Sequence, residues 1–318
     1  MRPLWKDILA ALWMGLVLPG IVLNGSVFFL NSWPSQTVVL AETIPVEDVP
    51  QHPVLLRRTD GMLEEMDMDV YLTGVVLAEM PAAFHAEALK AQSVAARTYA
   101  RKAFVTGGKH GDGSICGDAS CCQAYITEDA YFAGGGTQES LEKVRNAVAS
   151  TRGQALLYEG ELIEATYFSS SGGSTEAAVA VWGVDFPYLQ AVPSPGEELP
   201  QTIISYTPLA FQQALGVILP DPPETWFGEV VYTQGGGVDT MEIGGENYTG
   251  LQLRSVLGLR STDFSMTVDK GLITITTRGY GHRVGMSQYG ANAMAEAGST
   301  WQEILAHYYP GTTLMDIS

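Results

Sequence analysis

Positive charge is scarce in this chain: 17 lysines and arginines stand against 35 acids, which gives a formal net charge of -18 over 318 residues. Phosphate binding requires a basic surface, so this balance argues against nucleic acid as a partner. Only 16% of the residues are charged and 46% are hydrophobic, which excludes a disordered chain. Internal repeats, coiled-coil heptads and a phosphate-binding glycine motif are also missing from the sequence. What remains is a globular body that can accept a neutral, hydroxyl-rich ligand.

Cysteine is scarce as well, and the three cysteines form an odd number that cannot all pair. Cys116, Cys121 and Cys122 follow His110 within one short segment. One histidine and three cysteines would complete a tetrahedral zinc site with no open position, which predicts a structural metal and argues against a metalloenzyme. A Cys116–Cys121 disulfide beside a buried free thiol fits the spacing nearly as well, so both interpretations stay open.

Charge is absent from one long hydrophobic run, residues 8–30, which follows two basic residues. About 20 apolar residues span a bilayer, and a positive flank stays in the cytoplasm. The run predicts a cytoplasmic tip with a single transmembrane helix over residues 1–31. A stalk over residues 32–54, which contains prolines and acids, would then carry a body outside the cytoplasm. A signal peptide cleaved near Ala41 is the alternative.

The sequence of the body predicts helices and hairpins that do not follow a βαβ order. This pattern indicates an α+β fold of mixed helices and β-hairpins around a cleft. Asp69 is the predicted N-cap of a helix over residues 70–79, which Pro81 ends. A second helix over residues 86–104 is rich in good helix formers. The other predicted elements are hairpins at 155–168 and around Asp269–Gly271, a helix at 208–215, and final helices at 287–297 and 301–308.

Glu79 is a lone carboxylate in an apolar run that ends at Met80 and Pro81. A carboxyl group placed there loses water, so its neutral form is favoured and its pKa rises. That is the state a general acid needs near neutral pH. The alternative is a structural carboxylate that pairs with Arg97 or caps a neighbouring helix.

A second unusual segment, residues 279–290, has four glycines and leads into a predicted helix. Glycines let the backbone approach a ligand closely, although a strained turn with a helix cap would use the same pattern. Tyrosines in this segment offer flat faces for a sugar ring, and its other polar side chains offer hydrogen bonds. The loop at 169–174 adds further hydroxyls and backbone N–H groups.

With these motifs, the chain resembles the SpoIID/LytB family from about Leu55 to its C-terminus. The matching segments, in the family's order, are 70–81, 87–99, 169–173, 253–261 and 279–291. The resemblance implies a family domain over residues 55–318, with a possible inserted lobe at about 194–265. It also implies a membrane-anchored lytic transglycosylase that cleaves peptidoglycan and leaves 1,6-anhydro ends, for septal thinning and engulfment in endospore formation.

The resemblance implies roles for individual residues. Glu79 would be the catalytic glutamate, and Arg97 would be an arginine important to the same site. His110, Cys116, Cys121 and Cys122 would bind structural zinc, as in some clostridial members of the family, which usually have His where Cys121 stands. Arg283 stands where the family often has Gly, and would contact a lactyl carboxylate or point outward. The cleft-lining residues would be Ser170, Ser171, Gly172, Tyr280, His282, Ser287, Gln288 and Tyr289.

The implied substrate is a glycan strand whose stem peptides an amidase has already removed. The implied partners are that amidase and a further membrane protein of the engulfment complex, at the mother cell membrane facing the forespore. A single compelling carboxylate agrees with cleavage by the sugar's own hydroxyl, which needs no second carboxylate. The alternative function is a non-catalytic peptidoglycan-binding module that activates a partner amidase.

Overall fold

Two helices joined at a proline turn form the centre of the fold. The computed structural model describes residues 53–197 and 201–317, so the predicted anchor over residues 1–31 and nearly all of the stalk lie outside the described residues. Within the described ranges, no helix has the length and apolarity needed to cross a bilayer.

Helices and strands alternate irregularly along the described chain, which is an α+β fold as the sequence predicts. The helices are α1 (Met68–Glu79), α2 (Ala86–Thr106), α3 (Glu128–Ala133), α4 (Gln138–Ser150), α5 (Ala178–Trp182), α6 (Pro208–Leu215), α7 (Gly250–Val256), α8 (Gln288–Glu296) and α9 (Trp301–Tyr308). The strands are β1 (Val54–Arg57), β2 (Leu63–Met66), β3 (Ile115–Cys116), β4 (Gln154–Tyr158), β5 (Glu161–Leu162), β6 (Tyr167–Phe168), β7 (Thr202–Tyr206), β8 (Phe227–Tyr232), β9 (Val238–Ile243), β10 (Glu246–Thr249), β11 (Phe264–Asp269), β12 (Leu272–Thr277), β13 (Met286–Ser287) and β14 (Thr313–Asp316). Helices α6, α8 and α9 match their predicted bounds to within one residue.

Helix α1 begins two residues before the predicted start. Its N-cap is Asp67 and not Asp69, because the Asp67 side chain accepts hydrogen bonds from the backbone N–H groups of Asp69 and Val70. Met80 adopts an extended conformation before Pro81 and ends the helix where the sequence predicts. Glu79 is therefore the last residue of α1.

Helix α2 runs through the main hydrophobic core. It packs against α1, α4, α8 and α9. Its buried face is rich in alanine, whose small side chain lets four neighbouring helices approach closely. The fully buried apolar residues of this face are Ala88, Leu89, Ala91, Val94, Ala95 and Ala96.

Both predicted hairpins form, but one strand is shorter than expected. Strands β4 and β5 pair antiparallel around Glu159 and Gly160, and β11 pairs with β12 around Lys270. Glu159 and Lys270 take φ values of 52° and 50°, as two-residue hairpin turns require. Strand β5 ends at Leu162 and does not continue to Phe168, because the chain turns there. The N–H of Ala165 donates to the carbonyl of Ile163, and the N–H of Thr166 donates to the carbonyl of Glu164. Strand β6 pairs instead with β13, in parallel.

A second hydrophobic core is built from the chain segment that runs from β7 to β12. Two three-stranded antiparallel sheets, with strand orders β11-β12-β7 and β10-β9-β8, surround it together with α6 and α7. Thr202 pairs with Thr277, so the chain enters and leaves this region on adjacent strands. We call residues 202–277 the lobe. The fully buried members of its core are Phe211, Trp226, Ile243, Leu253, Ile273 and Ile275.

Candidate active site

Glu79 lies partly buried at the end of α1, with both carboxylate oxygens engaged. Its Oε1 accepts a 2.7 Å hydrogen bond from the backbone N–H of Ala124, and its Oε2 accepts a 3.3 Å bond from Nε2 of Gln288. Burial raises the pKa of Glu79 above its ordinary value, and the two hydrogen bonds oppose that rise without cancelling it. The sequence prediction of a raised pKa agrees with this geometry.

The glycine-rich segment reaches Glu79 through the start of α8. Gln288 is the first residue of α8, and the Ser287 side chain caps that helix. The N–H of Tyr289 donates to the carbonyl of Ser169, and the Tyr289 ring meets the Phe84 ring edge-on at 5.0 Å between centroids. The Ser287 side chain is fully buried, and its hydroxyl accepts the capping hydrogen bond from the N–H of Gly290.

The serine loop faces inward, contrary to the prediction that its hydroxyls line the cleft. Ser170 and Ser171 are buried, and the carboxylate of Glu197 accepts hydrogen bonds from the backbone N–H and the hydroxyl of Ser171 at 2.7 and 2.8 Å. Ser170 exchanges backbone hydrogen bonds with Tyr280. Gly172 has φ +78°, and a Cβ there would come within 3.0 Å of the neighbouring loop. This loop therefore holds the shape of the 279–290 segment.

Three rings form an aromatic row beside the serine loop. The ring of His282 lies between those of Phe168 and Trp182, with centroid distances of 5.6 and 5.3 Å. Burial, more than any charge, lowers the pKa of His282 to about 4, so the imidazole is neutral near pH 7. Trp182 and Tyr280 remain 42% and 48% exposed, and the Arg260 guanidinium lies 4.4 Å from the centre of the Tyr280 ring.

Arg97 does not pair with Glu79, which corrects one sequence interpretation. Its guanidinium is buried and donates to the carbonyls of Thr151 and Gln154 at 2.7 and 3.2 Å. It also lies 3.9 Å from Asp69 in the first turn of α1. Glu79 ends the same helix, about 15 Å further along at 1.5 Å per residue. Arg97 therefore fixes the beginning of α1 against the end of α4.

Arg283 does not point outward, which corrects one of the two predicted alternatives. It is only 1% exposed and has a φ of 66°. Its guanidinium donates to Glu176 at 3.2 Å and to the carbonyls of Ser174 and Gly235 at 2.9 and 2.8 Å. Gly235 belongs to the lobe, so Arg283 joins the lobe to the serine loop.

The four predicted zinc ligands come together in the loop after α2. The ligand atoms of His110, Cys116, Cys121 and Cys122 all lie within 4.8 Å of one another, and the cysteines are free thiols, against the disulfide alternative. The Sγ atoms of Cys121 and Cys122 are 3.8 Å apart, and they lie 3.8 and 3.6 Å from Nε2 of His110. Ligands about 2.3 Å from a tetrahedral zinc ion stand about 3.8 Å apart, so the donor set and its spacing fit zinc.

This loop also reaches the Glu79 carboxylate. Ala124, whose N–H bonds Glu79, stands two residues after Cys122. Between them, Gln123 is buried and donates from Nε2 to the hydroxyl of Tyr71 at 3.1 Å, while its Oε1 accepts from the hydroxyl of Tyr167 at 2.7 Å. The cysteine cluster and the carboxylate thus share one short, hydrogen-bonded segment.

Sequence reasoning missed several contributors to the site. The donor at Ala124 is a backbone N–H, which no side-chain pattern reveals. Glu197 meets Ser171 across 26 residues, and no motif marks it. For Trp182 the sequence offers one signal, because the glycine that follows it is typical of the end of a helix. That pattern does not show whether the Trp182 side chain is exposed.

Known proteins resemble this chain over most of its length. A family model described as SpoIID, stage II sporulation protein, matches residues 58–158. Stage II sporulation protein D of Bacillus amyloliquefaciens is 38% identical over 279 residues, covering 85% of this chain and 80% of that protein. The Bacillus subtilis (strain 168) protein of the same name is 39% identical over 284 residues, covering 87% and 82%. An amidase enhancer of Bacillus subtilis (strain 168) is 32% identical over 303 residues, covering 76% of this chain and 40% of that protein.

The family match encloses the features that the geometry singles out. Residues 58–158 include Glu79, Arg97, Ala124 and the whole cysteine cluster. The relatives extend the likeness beyond that segment, across most of the chain and most of their own length. The chain belongs to the family of stage II sporulation protein D.

Proposed function

We propose that this protein is a lytic transglycosylase of peptidoglycan, with Glu79 as its catalytic acid and base. The observation that carries the proposal is the Glu79 carboxylate, partly buried, raised in pKa and oriented by Ala124 and Gln288. A carboxyl group that stays protonated toward neutral pH can donate to a leaving-group oxygen. The half-exposed rings of Tyr280 and Trp182 offer faces on which sugars stack.

The reaction needs only one carboxylate. Protonated Glu79 donates its proton to the glycosidic oxygen between N-acetylmuramic acid and N-acetylglucosamine, and the C1–O bond breaks as an oxocarbenium-like centre forms. Glu79, now a carboxylate, takes the proton of the sugar's own 6-hydroxyl as that oxygen bonds C1. The product is a 1,6-anhydro end. The nucleophile belongs to the same sugar, so its proximity takes the place of a second carboxylate.

Two other acids of the sequence, Glu87 and Glu164, are the alternatives for a second carboxylate, and a lysine engages each of them. Glu87 accepts hydrogen bonds from Lys90 Nζ at 2.7 Å and from the N–H of Trp301 at 2.9 Å. Glu164 pairs with Lys102 at 3.1 Å. Burial opposes but does not cancel the effect of the hydrogen bonds from Lys90 and Trp301, which lower the pKa of Glu87, and Glu164 is engaged by Lys102. This supports single-carboxylate cleavage over hydrolysis.

A zinc ion held by His110, Cys116, Cys121 and Cys122 would supply structure and no open coordination position. Four protein ligands close a tetrahedral site, which is the arrangement of structural zinc. The residues of this chain then do the positioning: Ala124 presents its N–H to Glu79 only while the loop after Cys122 keeps its conformation. Arg97 would act at a distance by fixing α1, as a positioning residue.

The cellular setting is also a proposal. The hydrophobic run at 8–30 would anchor the chain in the mother cell membrane as a single span, N-terminus in the cytoplasm, with the body facing the forespore. There the enzyme would thin septal peptidoglycan during engulfment, on strands whose stem peptides a cell-wall amidase has removed. That amidase and a membrane protein of the same complex would be its partners.

The test is the replacement Glu79→Gln, which removes the transferable proton and keeps the shape. We expect release of 1,6-anhydro-muramyl product from peptide-free strands to fall about 100-fold or more, because general acid–base catalysis contributes about that much or more. Product ends are identified by mass spectrometry, and glycan binding is measured in parallel. Glu87→Gln is the matched control and should keep its activity. Full activity of Glu79→Gln would remove the assignment.

A second function has one observation in its favour. One relative, the amidase enhancer of Bacillus subtilis (strain 168), is 32% identical to this chain. A non-catalytic module would bind glycan and stimulate a partner amidase while leaving strand ends unchanged. The same product assay separates the two functions, because only a lytic transglycosylase generates anhydro ends.

A further inference from the structure

Two arginines beside Tyr280 have no carboxylate partner. The chain carries 35 acids against 17 basic residues, and most of its described arginines form ion pairs. Within residues 53–197 and 201–317, no acid lies within 4.0 Å of the guanidinium of Arg254 or Arg260. Arg254 is half-buried and Arg260 is exposed, so in this acidic protein they form a local positive patch that attracts anions.

Backbone contacts hold both arginines at the rim of the candidate site. Arg254 lies in the last turn of α7, and its carbonyl accepts a 2.9 Å hydrogen bond from the N–H of Leu259. The carbonyl of Arg260 accepts a 3.0 Å bond from the N–H of Gly281, next to Tyr280. The Arg260 guanidinium stands over the Tyr280 ring at 4.4 Å. The lobe therefore presents these two cations to the glycine-rich segment.

The electrostatics agree with this placement. Arg254 is partly buried, and burial lowers the pKa of its guanidinium. The pKa of His282 is lowered first by burial and next by the charge of Arg254, so the ring between Phe168 and Trp182 stays neutral beside it. A partly desolvated cation is costly without a counter-charge, and an anionic ligand offsets that cost. Arg283 cannot bind the ligand in their place, because it is buried against Glu176.

We propose that Arg254 and Arg260 form a subsite for the free lactyl carboxylate of a muramyl residue. The proposal rests on the function proposed above and adds the feature of the substrate that the site recognises. A stem peptide converts that carboxylate into a neutral amide, whereas peptide removal exposes the anion. Guanidinium groups bind carboxylates through paired, charge-assisted hydrogen bonds that an amide cannot replace. The subsite thereby selects strands already stripped of peptide.

The test compares two glycan strands of equal length. One is peptide-free, and in the other each lactyl carboxylate has been converted to its methyl amide. Binding is measured by calorimetry with the full-length protein carrying Glu79→Gln, so that strands are not consumed. We expect the amide strand to bind about tenfold more weakly, since one hydrogen bond between charged groups contributes about that factor. With Arg260→Gln added, both strands should bind equally, at the affinity of the amide strand.

The matched control is Arg58→Gln in the same background, which removes one positive charge from an exposed pair with Glu64. It should preserve the tenfold preference. Equal binding of both strands by the parent overturns the subsite, and so does a variant Arg260→Gln that weakens both strands alike while the preference persists. Binding of neither strand by any variant overturns the proposed function itself, whereas binding without preference overturns only the subsite.

Discussion

At the scale of single residues, the site is set by the balance around one carboxyl group. Burial raises the pKa of Glu79, while the N–H of Ala124 and the amide of Gln288 favour its ionised form. A general acid that must also act as a base requires a pKa near the working pH. Burial favours the protonated form of Glu79, which can donate a proton. The two hydrogen-bond donors favour its ionised form, which can accept one.

Removal of one donor should move the pH profile in a defined direction. The Gln288 amide stabilises the carboxylate and therefore lowers the pKa of Glu79, so Gln288→Leu raises that pKa. Protonated Glu79 then persists to higher pH. We expect the alkaline limb of kcat/KM to move to higher pH than in the parent protein. Product release measured against pH checks this. Gln190→Leu, which removes an amide that donates to Asp185, is the control and should leave the limb in place.

An unchanged alkaline limb in a folded Gln288→Leu variant would mean that the 3.3 Å contact does not act on Glu79.

Glu79 also shows how far sequence reasoning extends. Glu79 was identifiable because a lone acid in an apolar helix is rare and chemically costly. Its true partners were not identifiable, since Ala124 offers only a backbone N–H and Gln288 arrives from 209 residues away. Charge alone favoured Arg97, which the fold directs to the other end of α1.

At the scale of elements, the loop between α2 and α3 links the cysteine cluster to the Glu79 carboxylate. Ala124 follows Cys122 by two residues, and Gln123 is anchored between two tyrosine hydroxyls. The spacing of the cysteines predicts a metal site but not its connection to Glu79. That connection depends on where the chain goes after Cys122, which is determined by packing against Tyr71 and Tyr167.

Metal removal should therefore affect both stability and the Glu79 pKa. We expect chelation to lower the Tm by about 5–10 °C, because a loss of a few kcal/mol costs about 2–4 °C per kcal/mol in a domain of this size. The freed loop also withdraws the Ala124 N–H, so the pKa of Glu79 rises and the alkaline limb of activity moves upward. Calorimetry with and without chelator, and the pH profile of metal-free protein, measure the two effects.

Cys122→Ser should reproduce the metal-free state, whereas Ser120→Ala changes the same loop without removing a ligand and should retain the metal. Native mass spectrometry reports the occupancy of each variant. A protein that carries no metal as purified, yet melts and titrates like the chelator-treated one, would contradict the zinc site.

The hairpins could be predicted from the sequence for a physical reason: Glu159 and Lys270 adopt the positive φ of tight turns beside glycines.

At the scale of the whole molecule, a buried ion pair outside the lobe holds the lobe through hydrogen bonds to its backbone. Arg283 and Glu176 are each 1% exposed, and Glu176 also accepts a hydrogen bond from the N–H of Gly237 in the lobe at 2.9 Å. The two partners stand 107 residues apart. No pattern in the sequence pairs them, although the hydrophobic periodicity of the elements on either side is enough to predict an α+β fold.

Loss of the Arg283 charge alone should cost more stability than loss of the charges of both partners. Arg283→Met leaves the Glu176 carboxylate buried without its counter-charge, and we expect a loss of about 3–5 kcal/mol in the free energy of unfolding. The double variant Arg283→Met/Glu176→Gln should recover part of that loss. Urea unfolding followed by circular dichroism measures both. Arg145→Met, which breaks an exposed pair with Glu128, is the control and should cost about 1 kcal/mol or less. If Arg283→Met and Arg145→Met lowered the free energy of unfolding equally, the role of the buried pair would be refuted.

The pairing of Thr202 with Thr277 gives the lobe a two-stranded neck. Because entrance and exit lie side by side, a short turn between them could close the body without rethreading any other strand. The neck therefore makes the lobe a removable module in evolutionary terms, which a lineage can enlarge, exchange or delete while the helices around Glu79 keep their order. The substrate selection proposed for the lobe and the bond cleavage proposed for the body can then diverge independently.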